Sequence, residues 1–258
     1  MRKAVVGKVI ARVRLLHPSL ERRITRRALL SLRGHRITEV AHRAKHQLLM
    51  LDDERSLHVH FRMAGDWALD HVDDELPRSA RAAIEFADGT RLLLVDPRAL
   101  SALTLLPKGA SPFGELGPDP WSPDFDRALA DALARRRMPV KPALLDQRVA
   151  AGVGNIYAAE ALWEARIDPA APANSLNVSQ VQDLAAAIRT VLDRGRAGGR
   201  RYREGENRFQ VYDREGEPCR RCGTPIERLV QAGRSTCFCS RCQRPSAPPT
   251  RRARPPKR

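Results

Sequence analysis

The sequence predicts a multidomain α+β fold, with an N-terminal β-sandwich, a helical domain in the middle and a C-terminal four-cysteine hairpin. Three observations predict it. Short apolar or alternating stretches fill residues 1–110, apolar residues recur at helical spacing across residues 120–210, and all five cysteines lie within residues 219–242. Strands alternate with a period of two residues and helices with a longer period, so the first two patterns distinguish the two kinds of domain.

The first domain is predicted to span residues 1–110. Stretches such as "SLHVHFRMAGDWAL" and "AAIEFADGTRLLLVDPRAL" have the length and alternation of strands, and "ADGT" is typical of a hairpin turn. Many short strands separated by turn residues indicate a sandwich or a barrel. The Pro- and Gly-rich connector "PKGASPFGELGPDPWSP" then breaks the pattern and marks the domain boundary.

The second predicted domain, residues 120–210, is helical. "SPDFDRALADALARRR", "KPALLDQRVAA", "NIYAAEALWEAR" and "SQVQDLAAAIRTVLDRGR" carry apolar residues at helical spacing, with Ser, Asn or Pro near their starts. Residues 211–244 contain the cysteines and are predicted to be a separate small domain. Residues 245–258 are rich in proline and arginine, which predicts a disordered basic tail.

The charge of the chain favours a polyanionic partner such as DNA or RNA. The formal net charge is +16, from 46 Lys+Arg against 30 Asp+Glu. Arginine enrichment from a GC-rich genome is the alternative explanation. No apolar run approaches the length needed to cross a bilayer, and the N-terminus lacks the features of a secretory signal. We therefore expect a soluble cytoplasmic protein without a membrane partner.

The cysteines include two C-x2-C pairs that are sixteen residues apart. Two such pairs complete a tetrahedral site, which predicts one structural Zn²⁺ bound by Cys219, Cys222, Cys239 and Cys242. A closed four-thiolate site leaves no position for water, so this zinc would hold the hairpin and not catalyse. Cys237 is poorly spaced for a ligand and is expected to pack beside the metal. Ligand exchange or oxidation at Cys237 is the alternative.

Two places in the second half of the chain favour phosphate binding. In "KPALLDQRVAAGVGNIYAAEALW", Gly152 and Gly154 allow a tight turn, and Asn155 is placed to cap the next helix. Backbone N–H groups at such a helix start attract anions, and Lys141 is near in sequence. Glycines kept only for helix packing are the alternative. The hairpin between the cysteine pairs would present Arg234, for which a solvated turn residue is the alternative.

Several stretches together closely resemble the formamidopyrimidine-DNA glycosylase and endonuclease VIII family, from the first residues to about Gln243: "AKHQLLML", "LHVHFRMAG", "LLDQRVAAGVGNIYAAEALW", "VYDREGEPCRRCG" and "QAGRST". The resemblance implies a β-sandwich, a helix-two-turns-helix (H2TH) domain that binds DNA, and a zinc finger. It also implies a monomeric base-excision-repair DNA glycosylase with AP-lyase activity, in a bacterial-type cytoplasm at the nucleoid. Such an enzyme flips an oxidised base of the 8-oxoguanine/formamidopyrimidine class out of damaged double-stranded DNA, removes it and nicks the abasic site.

The resemblance implies roles for single residues as well. Lys45 matches a lysine near the scissile phosphates that is linked to β-elimination, and Arg234 matches an arginine that binds the phosphate by the lesion and supports δ-elimination. The expected DNA contacts are His60, Met63, Arg98, Lys141 and Asn155. Met63 and Arg98 would fill the hole that the extruded base leaves. Leu100 stands where the family often has Phe, so a less aromatic wedge is expected.

The chain departs from the family pattern at its start. Family enzymes begin with Pro-Glu-Leu-Pro-Glu-Val-Glu, whose proline amine attacks the sugar, whereas this chain begins "MRKAVVGKVIARV". Either the true start lies upstream and the protein is an ordinary enzyme, or it is a non-catalytic zinc protein that binds damaged DNA. The retained Lys45, Arg234 and void-filling residues favour the enzyme. The stretch "RAGGRRYREGENRFQVYD" is short for the family, so oxidised pyrimidines stay an alternative substrate.

Overall fold

The computed structural model describes residues 1–21, 23–114, 116–198 and 209–244. The chain divides into two units, Met1–Gly114 and Glu115–Arg258. The predicted basic tail, residues 245–258, lies outside the described residues. The same holds for residues 199–208 of the stretch that looks short for the family. The predicted domain limits at residues 110, 120, 210 and 244 stay predictions. Within the described ranges, no helix is long and apolar enough to span a membrane.

The alternating stretches of the first unit form eight strands. They are β1 (Ile10–Leu15), β2 (Ile37–Arg43), β3 (His46–Leu51), β4 (Ser56–His60), β5 (Asp66–His71), β6 (Ala80–Phe86), β7 (Thr90–Val95) and β8 (Ala102–Leu106). Two four-stranded antiparallel sheets result, in the orders β1-β6-β7-β5 and β2-β3-β4-β8. Two short helices, α1 (Arg2–Val5) and α2 (Arg26–Leu30), flank β1.

The two sheets share one apolar core. Ile84 and Leu92 from one sheet and Leu49 and Leu57 from the other are fully buried in the same cluster. Each such side chain contributes about 1.5–3 kcal/mol when it leaves water. The strands turn alternate residues to this core, as their sequence period requires. The predicted β-sandwich is therefore confirmed.

In the part of the second unit that the structure describes, there are four α-helices and a hairpin. They are α3 (Phe125–Ala134), α4 (Val140–Leu145), α5 (Asn155–Glu164), α6 (Val178–Gly198), β9 (Glu227–Gln231) and β10 (Arg234–Phe238). Leu184, Ile188 and Val191 of α6 lie three or four residues apart and pack with Leu129 and Leu133 of α3 in one buried cluster. This spacing places them on one helix face. The cysteine hairpin packs on α5, where Trp163 shares a smaller cluster with buried cysteines.

Candidate nucleic-acid interface and metal centre

The connection between α4 and α5 contains two tight turns held by one side chain. Gln147 donates from Nε2 to the Val153 carbonyl over 2.8 Å and accepts from the Gly152 N–H over 3.0 Å. Gly152 has a φ of +90°, in the region that favours glycine. Gly154, not Asn155, is the N-cap of α5, and no side chain caps it. The expectation that Asn155 caps the helix is therefore wrong.

Asn155 and Lys141 instead form hydrogen bonds to the hairpin of β9 and β10. The Lys141 ammonium donates to Asn155 Oδ1 (2.6 Å), the Ser235 carbonyl (2.9 Å) and Thr236 Oγ1 (2.8 Å). Asn155 Nδ2 donates to the same Ser235 carbonyl over 3.2 Å. An ammonium has three N–H donors, so all those of Lys141 are used. These contacts fix β10 to the start of α5.

Lys141 lies inside the second unit, and its expected contact with DNA stays a prediction. Its side chain is 0% exposed, because α4 turns it toward the hairpin and three oxygens replace water around the ammonium. Burial, and then the charge of Arg234, lower the pKa of Lys141 to about 8. The Arg234 guanidinium therefore lies near the Lys141 ammonium, and the two cations create a positive potential at the start of β10.

The hairpin exposes Arg234 at its tip. β9 and β10 are joined by Ala232 and Gly233, which both have positive φ, as a two-residue type I′ turn requires. Arg234 is the first residue of β10 and is exposed. Its neighbour Ser235 is held by Lys141 and Asn155, so the base of the Arg234 side chain has a fixed position. An exposed guanidinium that is held at the base of its side chain beside a helix N-terminus suits a phosphate group.

Four cysteines are brought together as the sequence predicts. The ligand atoms of Cys219, Cys222, Cys239 and Cys242 all lie within 4.8 Å of one another. The sulfurs of Cys219 and Cys242 are 3.9 Å apart, and those of Cys222 and Cys239 are 3.5 Å apart. A tetrahedral zinc with bonds of about 2.3 Å needs sulfurs about 3.8 Å apart, so the residues fit the metal.

The four sulfurs differ in their pKa values. Hydrogen bonds from Thr224 lower the pKa of Cys222 to about 6, which favours the thiolate that zinc binds, whereas burial raises the pKa values of Cys239 and Cys242. Cys237 lies outside the four-cysteine group and is buried in the apolar cluster beside it. The structure therefore brings the four predicted ligands together and packs Cys237 beside them, while the role of Cys237 stays a prediction.

A second group of functional candidates lies on the outer face of the sheet that contains β3 and β4. Lys45 sits in the two-residue turn between β2 and β3, next to His46. His46 is paired with His60 across the strands, and its Nδ1 lies 2.8 Å from Nε2 of His58. The rings of His46 and His58 are stacked with centroids 5.0 Å apart. The pairing register of β3 and β4 therefore brings His46, His58 and His60 together with Lys45 at one end of these strands.

His60 is set up as an uncharged donor. Its Nδ1 accepts the N–H of Arg62 over 3.0 Å, so the ring proton is on Nε2. Burial, then the charge of Arg62, lower the pKa of His60 to about 4, and burial lowers that of His58 to about 4. Near pH 7 both rings are neutral, so Lys45 and Arg62 supply the positive charge at this edge.

Two loops of the first unit carry exposed apolar and cationic side chains. Met63, in the loop after β4, is 68% exposed, and Leu100, in the loop after β7, is 45% exposed. Arg98 joins the loops, because its Nη1 lies 3.5 Å from the Met63 sulfur. Exposed large apolar side chains on two linked loops are candidates for contact with another molecule.

Asp96 holds the second of these loops. Its carboxylate is 0% exposed and accepts the backbone N–H groups of Arg98 (3.0 Å), Leu100 (2.7 Å) and Ser101 (2.7 Å). The Ser101 hydroxyl adds a contact of 2.8 Å to the same carboxylate and one of 3.2 Å to the Phe61 carbonyl of the first loop. One buried charge therefore fixes the loop and, through Ser101, links it to its neighbour.

The sequence analysis did not identify several residues of these sites, among them His46, His58, Arg62, Asp96 and Ser101. His58 could have been found, since the alternation in "SLHVH" places it on the same strand face as His60. Arg62, Asp96 and Ser101 carry no such pattern, because their contacts depend on loop shape. The expected roles of Lys45, His60, Met63, Arg98, Lys141, Asn155 and Arg234 in acting on DNA stay predictions.

Family models match nearly the whole chain. Residues 1–103 match the formamidopyrimidine-DNA glycosylase N-terminal domain, and residues 116–203 match the formamidopyrimidine-DNA glycosylase H2TH domain. Residues 216–245 match the zinc finger found in FPG and IleRS. These matches confirm the predicted β-sandwich, helical domain and zinc finger in their order along the chain.

Whole proteins give the same result. The formamidopyrimidine-DNA glycosylase of Chloroflexus aurantiacus is 42% identical over 224 residues, 81% of each chain. That of Paracoccus denitrificans is 38% identical over 261 residues, 92% of this chain and 93% of the relative. The Lactococcus lactis enzyme bound to DNA with an abasic site superposes with a TM-score of 0.84 at 29% identity, over 94% and 95% of the two chains. Its complex with FAPY-dG DNA gives a TM-score of 0.85 over the same shares.

Proposed function

The chain belongs to the formamidopyrimidine-DNA glycosylase family, and from this we propose that it repairs oxidised bases in double-stranded DNA. It removes 8-oxoguanine or formamidopyrimidine bases from the duplex and then nicks the abasic site. The observation that carries the proposal is the pair of loops with exposed Met63 and Leu100 joined through Arg98. Side chains on such a surface can take the place of an extruded base, because apolar groups fill the gap that the base leaves in the duplex and limit the cost of unstacking.

The two units supply different contacts to the DNA. In the first unit, Lys45 and Arg62 provide charge, and His60 offers a neutral N–H donor whose other nitrogen is already occupied. In the second unit, Arg234 and the N-terminus of α5 provide a phosphate site. Phosphate contacts position a protein on DNA and make its binding sensitive to salt.

Lys45 and Arg234 are the proposed catalytic residues. Lys45 acts near the scissile phosphates in β-elimination, and Arg234 holds the phosphate by the lesion and supports δ-elimination. The zinc ion holds the hairpin that carries Arg234 and, with four sulfur ligands, leaves no position for substrate. We place the protein in the cytoplasm, at the nucleoid, as a monomer; support comes from its bacterial relatives and its net charge of +16.

The test is strand cleavage on duplexes that carry 8-oxoguanine, a formamidopyrimidine, an oxidised pyrimidine, an abasic site or no damage. Both the 258-residue chain and a form extended into the genomic sequence upstream of Met1 are assayed, with borohydride to trap covalent adducts. We expect damage-dependent nicking and a trapped adduct. Damage-selective binding without cleavage or adduct in either form would contradict the enzyme and leave a DNA-binding protein.

Charge-matched variants separate the proposed roles from simple loss of charge. Arg234→Ala is expected to lower nicking by roughly 10- to 100-fold, because a charge-assisted contact to phosphate is lost. Arg127, which is exposed on α3, provides the control, and Arg127→Ala should retain nicking. Lys45→Ala is compared with Lys108→Ala, whose lysine pairs with Glu54 on the surface. Equal effects within either pair would contradict the assigned role.

A further inference from the structure

Trp163 of α5 lies against the zinc-binding cysteines. It is 6% exposed and packs in one apolar cluster with Cys219, Cys237 and Cys239. Arg221, which lies between two metal ligands in "CRRC", covers its ring with Cζ 3.8 Å from the ring centroid. The same guanidinium donates from Nη1 to the Trp163 carbonyl over 3.0 Å. The cation–π contact therefore covers one face of the indole, and the hydrogen bond holds the guanidinium to the backbone of α5.

The indole nitrogen of Trp163 is unusual for a buried group. Among the described residues, Nε1 of Trp163 is the one buried side-chain nitrogen or oxygen without a hydrogen-bond partner. Buried indole N–H groups normally have an acceptor, since losing water without one is unfavourable. The sulfur of Cys219, which shares the buried cluster with the indole, is the acceptor available to this N–H. A neutral thiol accepts weakly, whereas a metal-bound thiolate carries the charge that makes it a good acceptor.

We propose that Trp163 is a positioning residue of the zinc centre, donating its indole N–H to the Cys219 thiolate and so fastening helix α5 to the metal. This goes beyond the proposed function and does not depend on it, because it concerns metal binding alone. A hydrogen bond to a ligand atom orients that ligand and tunes the metal, and its loss typically weakens metal binding 10- to 100-fold. The arrangement links the zinc centre to the helix whose first residue, Asn155, holds the hairpin.

Replacement by phenylalanine removes the N–H and retains an aromatic ring. We expect Trp163→Phe to bind zinc about tenfold more weakly in competition with a chromogenic chelator. In the Co²⁺-substituted protein, the sulfur-to-metal charge-transfer band should move to lower energy, because the thiolate lone pair loses the stabilising donor. Trp121→Phe, at an exposed tryptophan in the same unit, should change neither quantity. Unchanged affinity and an unchanged band in a folded Trp163→Phe protein would overturn the proposal.

A measurement on the wild-type protein tests the proposal even if the Trp163→Phe protein does not fold. With ¹¹³Cd in place of zinc, a hydrogen bond from the indole to a coordinated sulfur transmits a scalar coupling between the indole proton and the metal. We expect this coupling at the Trp163 indole proton and at no other indole. Its absence from a well-resolved Trp163 resonance would refute the hydrogen bond.

Discussion

Replacing Asp96 by asparagine should loosen the loop that presents Arg98 and Leu100. One carboxylate oxygen of Asp96 accepts three hydrogen bonds, from Leu100 N, Ser101 N and Ser101 Oγ, and the other accepts the N–H of Arg98. Asparagine has the same shape but one acceptor oxygen. If that oxygen keeps the three contacts, its NH₂ group faces the Arg98 N–H, and two donors oppose each other.

The magnitude follows from these four contacts. Hydrogen bonds to a charged group contribute about 1.5–3 kcal/mol each and neutral ones about 1 kcal/mol, so weakening three by at least about 0.5 kcal/mol each and losing one should cost about 3 kcal/mol or more. Burial would raise the pKa of Asp96, but the hydrogen bonds from Ser101 and the loop outweigh it and hold the pKa below its usual value. The stabilisation is therefore complete above the usual aspartate pKa and is lost as the pH falls below it.

Two assays test this reasoning. Denaturant unfolding near pH 7 should show the loss of stability, and affinity for an abasic-site duplex should fall while zinc content stays unchanged. Asp73→Asn makes the same chemical change at an exposed carboxylate of the same unit and should alter neither result. If Asp96→Asn unfolds with the wild-type free energy and binds the duplex as tightly, the assignment of Asp96 as the residue that holds the loop is refuted.

The remaining predictions concern the second unit. Cys222→Ser should lose zinc, measured by metal analysis, whereas Cys237→Ser should retain it, and stoichiometric zinc loss from Cys237→Ser would show that the ligand set is wrong. Burial and Arg234 lower the pKa of Lys141 to about 8 from 10.5, so between these values the unfolded chain binds more protons. Wild-type stability should therefore rise with pH relative to Lys141→Met across that window, and a constant difference in unfolding free energy would contradict the buried amine. Glu160→Gln should cost about 2–3 kcal/mol in unfolding free energy, because the Glu160 carboxylate accepts the backbone N–H groups of Gln210, Val211 and Tyr212; wild-type stability would exclude this role.

The sequence alone predicted those parts of the fold and of the metal centre whose contacts join residues close together in the chain. Two C-x2-C pairs define the ligand set by local geometry, and alternation in stretches such as "SLHVH" located the strands of the sandwich. Helices α1 and α2 were not predicted, because four or five residues carry too little periodicity.

The sequence alone did not predict contacts between segments that are far apart in the chain. Burial of Lys141 could not be predicted from the sequence, because its acceptors, Ser235 and Thr236, are 94 and 95 residues away. The stacked His46 and His58 depend on the register of β3 and β4, which alternation alone does not specify. Asp96 was not predicted as a functional residue, and its role becomes visible only once the loop shape brings three N–H groups to one carboxylate.

The Lys141 contacts also bear on the order in which the second unit assembles. Closing a loop of about 95 residues is slower than capturing a metal with four cysteines spaced over residues 219–242. We therefore expect the cysteine hairpin to form around zinc first and to dock on α4 and α5 afterwards, when the Lys141 ammonium gives up its water for three oxygens. Refolding kinetics should then show a docking phase whose rate is independent of zinc concentration once the metal is saturating.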